Sequence, residues 1–441
     1  MTKQRSSSRY STRRTCRVCG SLKLAPVLSL GRMCVSDFPV RPAPAPPRIP
    51  LDLVLCDRAA GGCGLLQLRH TVSSEHLYRN YWYRSGVNRS MIDALGEVAA
   101  IAARTARPAA GDFVVDIGAN DGTLLRAYSS DALRRVGFEP ARNLRRFNKD
   151  GTEHIFADFF NADAWRRKFG AAKARVITAI AMFYDLEDPN AFVAGVREIL
   201  ADDGLFVVQM THLPAMLKAN AFDNICHEHL EYYSLMALEH LLQRHGLGVC
   251  DVTFNDVNGG SARFFVCHEG SESKLRLPRG AKARVVAARA EERRLRLHTM
   301  APYVAFQRRI TDIRERVQGL VARARREQKR IFAYGASTKG NTLLQLFGLT
   351  GADIDAAAER NPEKWGRFTV ASGIPIVSET AAREANPAYM LVLPWHFIKE
   401  FRQREDAWLQ GGGRFVVPMP QFRIIGPVRR TPKDRRVRAN A

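Results

Sequence analysis

The stretch Val114-Val115-Asp116-Ile117-Gly118-Ala119-Asn120-Asp121-Gly122-Thr123 restricts the fold more than any other part of this chain. A short apolar run ends in a tight glycine-bearing turn, and a helix is expected to open directly after it. A strand that enters a helix this abruptly is half of a βαβ unit, and such units assemble into a parallel sheet covered on both faces. The pattern recurs. Phe113–Ile117, Arg135–Glu139, Arg175–Ile180 and Leu205–Met210 read as buried strands separated by helical lengths. Arg330–Tyr334, Ile354–Ala358, Tyr389–Leu393 and Phe415–Val417 form a second series. The expected class is α/β, with two Rossmann-like sheets in one chain.

A chain of 441 residues is too long for one ordinary core and suggests two or three domains. Residues 1–14 read as a disordered basic N-terminus, 15–76 as a cysteine-rich module and 77–270 as the first α/β domain. Residues 271–328 read as a helical connector, 329–425 as a C-terminal Rossmann-like domain and 426–441 as a basic tail. In the connector Phe306, Ile310, Ile313, Val317 and Leu320 form one apolar stripe, and Pro302 is expected to separate two helices. No apolar stretch reaches the roughly 18 residues of a membrane span. The opening residues, with Lys3, Arg5, Arg9, Arg13 and Arg14, lack the apolar core of a secretory signal. A cytoplasmic protein without membrane contact is expected. The net charge of +23 would suit a polyanion or a diphosphate-bearing substrate. Its arginines are nevertheless dispersed along helix faces and the tail, not interleaved with aromatics, so nucleic acid is not the expected partner. A monomer and a dimer are equally compatible with the sequence.

Five of the eight cysteines fall within the first 63 residues. In a reducing compartment such clustering points to metal, not disulfides. Cys16-x2-Cys19 and Cys56-x6-Cys63 supply four soft thiolates, which close a tetrahedral structural zinc site. The second spacing is wide, and the glycines within Asp57–Gly62 could accommodate it. Cys34 lacks a paired partner and reads as a small core residue.

The loop after the first strand is missing the G-x-G-x-x-G that cradles a pyrophosphate. Asp116 and Asp121 bring negative charge to it, while Gly118, Asn120 and Gly122 permit close backbone approach. That suits a cationic, phosphate-free ligand such as S-adenosylmethionine. Glu139, at the end of the second strand, can accept from both ribose hydroxyls, and Asp158 from an adenine amino group. Tyr83, in a tyrosine-rich lead-in, reads first as a packing residue, with closure over the cofactor as the alternative.

In Cys226-His227-Glu228-His229-Leu230-Glu231-Tyr232-Tyr233 two histidines and two carboxylates fall within five positions. They follow the fourth strand, at the edge where open α/β sheets bind ligands. A histidine oriented by a carboxylate can remove a proton next to a carbonyl. A metal site on H-x-H and a structural role remain alternatives. Tyr334-Gly335-Ala336-Ser337-Thr338-Lys339-Gly340-Asn341-Thr342 again joins a strand to a helix. Its small residues, hydroxyls and Lys339 make an anion cradle suited to a diphosphate, although the P-loop spacing is absent.

On these residues, together with Asn258-Gly259-Gly260-Ser261 and Leu393-Pro394-Trp395, the chain resembles the bacterial sugar C-methyltransferases that act on nucleotide-linked keto-deoxysugars. The resemblance runs from Cys16 to about Pro420. It implies an N-terminal zinc-binding domain, a class I methyltransferase domain and a C-terminal Rossmann-like domain that helps to hold the nucleotide-sugar. It also implies His229 as the base, Glu228 as its neighbour, and residues of the Tyr334–Asn341 loop (Tyr334, Gly335, Ser337, Lys339, Asn341) on the substrate diphosphate. The chain departs from the family at two places. Cys226 stands where the family commonly has tyrosine, and Asp185 falls about where a histidine often stands. Two rival readings stay open: methylation of oxygen or nitrogen on another small molecule, and a basic zinc protein that binds or modifies RNA.

Overall fold

In a computed structural model of the chain, which describes residues 10–41 and 46–427, the alternation of strand and helix builds two sheets of the expected kind. The strands of the first are β1 (Phe113–Ile117), β2 (Arg134–Phe138), β3 (His154–Phe156), β4 (Ala174–Ile180), β5 (Leu200–Thr211), β6 (Leu247–Asn255) and β7 (Ser261–His268). Their spatial order is β6-β7-β5-β4-β1-β2-β3. From β3 to β5 all neighbours run parallel, whereas β7 is antiparallel to both β5 and β6. The reversal follows from chain length: only residues 256–260 connect β6 to β7, which is too short for a crossover. The turn is made by Asn258, Gly259 and Gly260, all with positive φ. Side chains of β1 alternate between the two faces, as a doubly covered strand requires. Phe113, Val115 and Ile117 enter one buried cluster, and Val114 enters the other.

The second sheet comprises β8 (Ile331–Tyr334), β9 (Ala356–Glu359), β10 (Ile376–Ser378), β11 (Tyr389–Val392), β12 (Arg414–Val417) and β13 (Arg423–Ile425), in the order β10-β9-β8-β11-β12-β13. It is parallel except for β13. The chain forms two compact units and crosses between them more than once. The first contains Ile49–Lys218 and Cys226–Phe306 with the N-terminal residues to Gly31. The second contains Arg32–Arg48, Ala219–Ile225 and the chain from Gln307.

The cysteine-rich module is a four-stranded sheet of Leu24–Met33, Ile49–Cys56, Leu66–Leu68 and Glu231–Tyr232. Its last strand comes from the segment directly after His229. Of the arm expected to be disordered, residues 1–9 lie outside the described residues. Ser11–Thr12 instead pairs with His70–Thr71, because backbone pairing satisfies amides that composition alone would leave to water. The tail from residue 428 is also outside the described residues. In the connector, helices Ala281–Leu295 and Ala301–Arg326 are separated at Arg296, which is left-handed. Pro302 therefore sits in the first turn of the second helix, where a missing N–H costs nothing. The predicted stripe from Phe306 to Leu320 is buried along its length. No described helix is long and apolar enough to cross a membrane.

Candidate active site and metal centre

Among the described residues, Cys16, Cys19, Cys56 and Cys63 are the one group able to hold a metal ion, with all four sulfurs within 4.8 Å of one another. Sγ of Cys16 lies 3.5 Å from that of Cys63, and Sγ of Cys19 lies 3.4 Å from that of Cys56. A tetrahedron with Zn–S bonds of about 2.3 Å has an edge of about 3.8 Å, so the donor set fits zinc. Electrostatics points the same way. Hydrogen bonds from Cys56 and Cys63 draw the Cys16 thiol well down, and giving those bonds holds Cys56 and Cys63 up. Four thiolates therefore need a cation to coexist. The wide Cys56–Cys63 spacing is closed by a turn in which the Gly62 amide donates to the Asp57 carbonyl at 2.7 Å. A Cβ on Gly62 would lie 2.5 Å from Cys56 Sγ, so this position tolerates only glycine.

At the C-terminal end of β1 the chain turns through Gly118, Asn120 and Gly122, all with positive φ, before a helix of four residues, Thr123–Arg126. The Gly118 and Ala119 amides donate to the Phe138 carbonyl, which binds the turn to the end of β2. Asp116 is buried and accepts from the Thr178 hydroxyl at 2.6 Å. Burial pushes its carboxyl up to about 7, against the opposing effect of Thr178. Glu139 accepts the Asn120 amide at 2.7 Å and the Ala141 amide at 2.8 Å, and burial raises its carboxyl too. These two acids flank the turn and feel each other's charge. Asp121 and Asn120 also fasten the loop to its surroundings. Asp121 accepts from the Gly86 amide at 2.7 Å and the Thr123 hydroxyl at 2.6 Å. Asn120 accepts from the Ser85 amide and donates to the Tyr83 carbonyl, so the tyrosine-rich lead-in is fastened to the turn by its backbone. The Tyr83 side chain is partly exposed. Asp158 is largely exposed, and its Oδ1 accepts from Arg79 at 2.8 Å and from the Phe159 amide.

The segment Cys226–His229 is buried throughout. His227 Nε2 lies 3.2 Å from the Ile49 carbonyl oxygen, and burial holds its imidazole down to about 4, so it is neutral. Burial raises the Glu228 carboxyl, and Oε2 has no hydrogen-bond partner among the described residues. The hydroxyls of Tyr78 and Tyr232 donate to the backbone carbonyls of Glu228 and His229 at 2.8 and 3.2 Å. The His229 ring lies 4.3 Å from the ring of Tyr184, just beyond β4. In the same turn after β4, Met182 packs over Gly118, where an added Cβ would come within 3.0 Å of its Cγ. Residues 182–184 thus touch the turn after β1 at one end and His229 at the other. Sequence reasoning did not assign roles to Met182 and Tyr184. Their signal was position, directly after a central strand.

In the second unit, β8 leads through Gly335 (φ +85°) into helix Thr338–Phe347, capped by Ser337, whose Oγ accepts the Gly340 amide at 2.9 Å. Lys339 Nζ donates to Asn224 Oδ1 at 2.5 Å. Asn341 donates to Ser36 and to the Asp37 carbonyl. The Tyr334 hydroxyl is engaged away from the loop, donating to Glu405 at 2.7 Å and accepting from Arg404. Glu359, which sequence reasoning missed, ends β9 and accepts the Ala336 amide at 2.8 Å. It occupies the place after a second strand that Glu139 holds in the first sheet, so the same reasoning would have found it.

Comparison with known proteins places these units. Residues 16–78 match a zinc binding domain family, 83–252 a methyltransferase domain family and 256–420 the C-methyltransferase C-terminal domain family. Among solved structures, magnesium protoporphyrin IX methyltransferase from Synechocystis with bound SAH is 11% identical (TM-score 0.32), covering 42% of this chain and 89% of that one. An S-adenosylmethionine-dependent methyltransferase from Clostridium acetobutylicum is 10% identical (TM-score 0.30), covering 41% and 91%. The C-methyltransferase NovU of Streptomyces niveus is 34% identical over 418 residues, covering 93% of this chain and 96% of that protein. A relative this similar over nearly the full length of both chains places the chain in the C-methyltransferase family: it is an S-adenosylmethionine-dependent methyltransferase of class I fold with a zinc-binding N-terminal domain.

Proposed function

We propose that the enzyme methylates a carbon next to the carbonyl of a nucleotide-linked keto-sugar, with His229 as the base. The observation that supports this reading is the pair of contacts Gly118–Met182 and Tyr184–His229, which links the turn after β1 to the imidazole through residues 182–184. S-adenosylmethionine supplies a methyl group on a sulfonium centre. Asp116 would offset its positive charge, Glu139 would accept from the ribose hydroxyls, and Asp158 keeps Oδ2 for the adenine amino group. The bare Cα of Gly118 makes room for Met182, which packs over the turn. His229 would take the proton from the substrate carbon, and the Tyr184 ring against the imidazole fixes its plane during that transfer. Burial raises the Glu228 carboxyl, which works against a second negative charge beside the forming carbanion.

In the second unit Lys339, the Ser337-capped helix start and Glu359 support a nucleoside diphosphate: cation and amides for phosphate, a carboxylate at a strand end for ribose. Thiols arranged for metal also suit the reducing cytoplasm.

The test is solvent deuterium exchange. With S-adenosylhomocysteine bound, wild type should exchange the proton beside the carbonyl of a keto-sugar nucleotide. His229→Ala should lose roughly 10²–10⁴-fold in exchange and turnover at unchanged cofactor affinity. Wild-type turnover in His229→Ala would remove the base and favour oxygen or nitrogen methylation.

A further inference from the structure

The segment that carries His229 is held from the zinc module. His227 is tied to the Ile49 carbonyl oxygen, and the Leu68 amide donates to the Leu230 carbonyl at 2.9 Å. Glu231 and Tyr232 pair antiparallel with Gln67 and Leu66 as the edge strand of the module's sheet. The fourth connection is an ion pair. Arg17, inside the Cys16–Cys19 knuckle, places Nε 3.5 Å from Glu231 Oε1, with both side chains fully buried. The rest of its guanidinium is fixed by Gln67 Oε1 at 3.1 Å, the Leu68 carbonyl at 2.6 Å and Thr71 Oγ1 at 2.5 Å. The knuckle is in turn anchored by Asn190, which donates to the Arg17 and Val18 carbonyls. Cys16, Cys56 and Cys63 share one buried cluster with Tyr233 and the first face of the methyltransferase sheet.

A buried ion pair adds little net stability over apolar residues of the same volume, so its effect here is one of position. Glu231 is two residues from His229, so a displacement at Glu231 reaches the imidazole through about 7 Å of chain. We propose that the zinc module is the frame that aligns the catalytic segment, and that Arg17 is the positioning residue coupling the zinc knuckle to His229 through Glu231. The inference rests on the reading of His229 as base.

The test uses full-length, zinc-loaded protein. Arg17→Met combined with Glu231→Gln leaves no buried charge unpaired, and the double variant should retain zinc and fold, melting at a lower temperature because the Leu68 carbonyl loses its donor. Amide hydrogen exchange of residues 226–232 should accelerate about tenfold or more. The kcat should fall roughly 10–100-fold through misalignment, with KM and S-adenosylhomocysteine affinity within about threefold of wild type. Arg17→Lys keeps the charge but cannot reproduce the fork of contacts to Leu68 and Thr71, and should recover part of kcat. If the double variant does not fold, Arg17→Lys carries both readouts. Wild-type protection of residues 226–232 in a folded variant would overturn the proposal. Accelerated exchange with wild-type kcat would uphold the positioning and overturn His229 as base, which His229→Ala tests separately.

Discussion

Asp116→Asn isolates the electrostatic logic of the cofactor turn. Burial holds the Asp116 carboxyl at about 7, against 3.8 for an ordinary aspartate. The ionised carboxylate is the form that favours a sulfonium, so binding pulls the group towards ionisation and releases a proton near neutrality. At pH 8 the free enzyme is about nine-tenths ionised at this residue and at pH 6 about one-tenth, so cofactor affinity should weaken about tenfold between them. The ligand's own amino group titrates near about 7.7–8.0, and Glu139 beside Asp116 is also raised. The informative quantity is therefore the difference between wild type and Asp116→Asn, in which the ligand's own titration cancels and the charge of Asp116, with its effect on Glu139, remains. Calorimetric titration in buffers of different ionisation enthalpy reads the affinity and the released proton together. Stability without cofactor should move in the opposite sense. Below pH 3.8 the carboxyl is neutral in folded and unfolded chains alike. The cost of ionising it in the folded state grows as pH rises and is complete above about 7, where it reaches about 4 kcal/mol. Asp116→Asn should accordingly be more stable than wild type at pH 8 and lose that advantage towards pH 4. Identical pH profiles of affinity in the two proteins would refute the reasoning.

Metal analysis should find about one equivalent of zinc per chain. Cys19→Ser should lose it along with melting temperature, and Gly62→Ala should lower zinc content because its Cβ would press on Cys56 Sγ and the Asp57 carbonyl. Glu139→Gln leaves one acceptor oxygen where the Asn120 and Ala141 amides now use two. Cofactor affinity by calorimetry should drop by about 1.5–3 kcal/mol while the fold persists.

What the sequence determined by itself is local. The short buried strands Phe113–Ile117 and Ala174–Ile180 lie within a residue of where apolar runs and turns placed them, because a doubly covered strand needs only its own hydrophobicity and a turn to end it. The cysteine pairs were equally visible, since each half-site of a thiolate centre is contiguous in the chain. Strand β3, three residues long and only partly buried, carries too little periodicity to be seen.

Only the tertiary structure decided how the site residues divide their work. Asn120 and Asp121 also accept from the Ser85 and Gly86 amides of the lead-in, and Arg79 pairs with Asp158, contacts that no neighbouring residue announces in the sequence. Residue type alone did not separate His227 from His229, which the family resemblance named as base; in the fold the Ile49 carbonyl lies against one and the Tyr184 ring against the other. The pairing of Glu231 with Arg17 joins residues 214 positions apart in numbering. Nothing in either neighbourhood announces such a partner, because a buried charge is matched by whatever the packed fold brings against it.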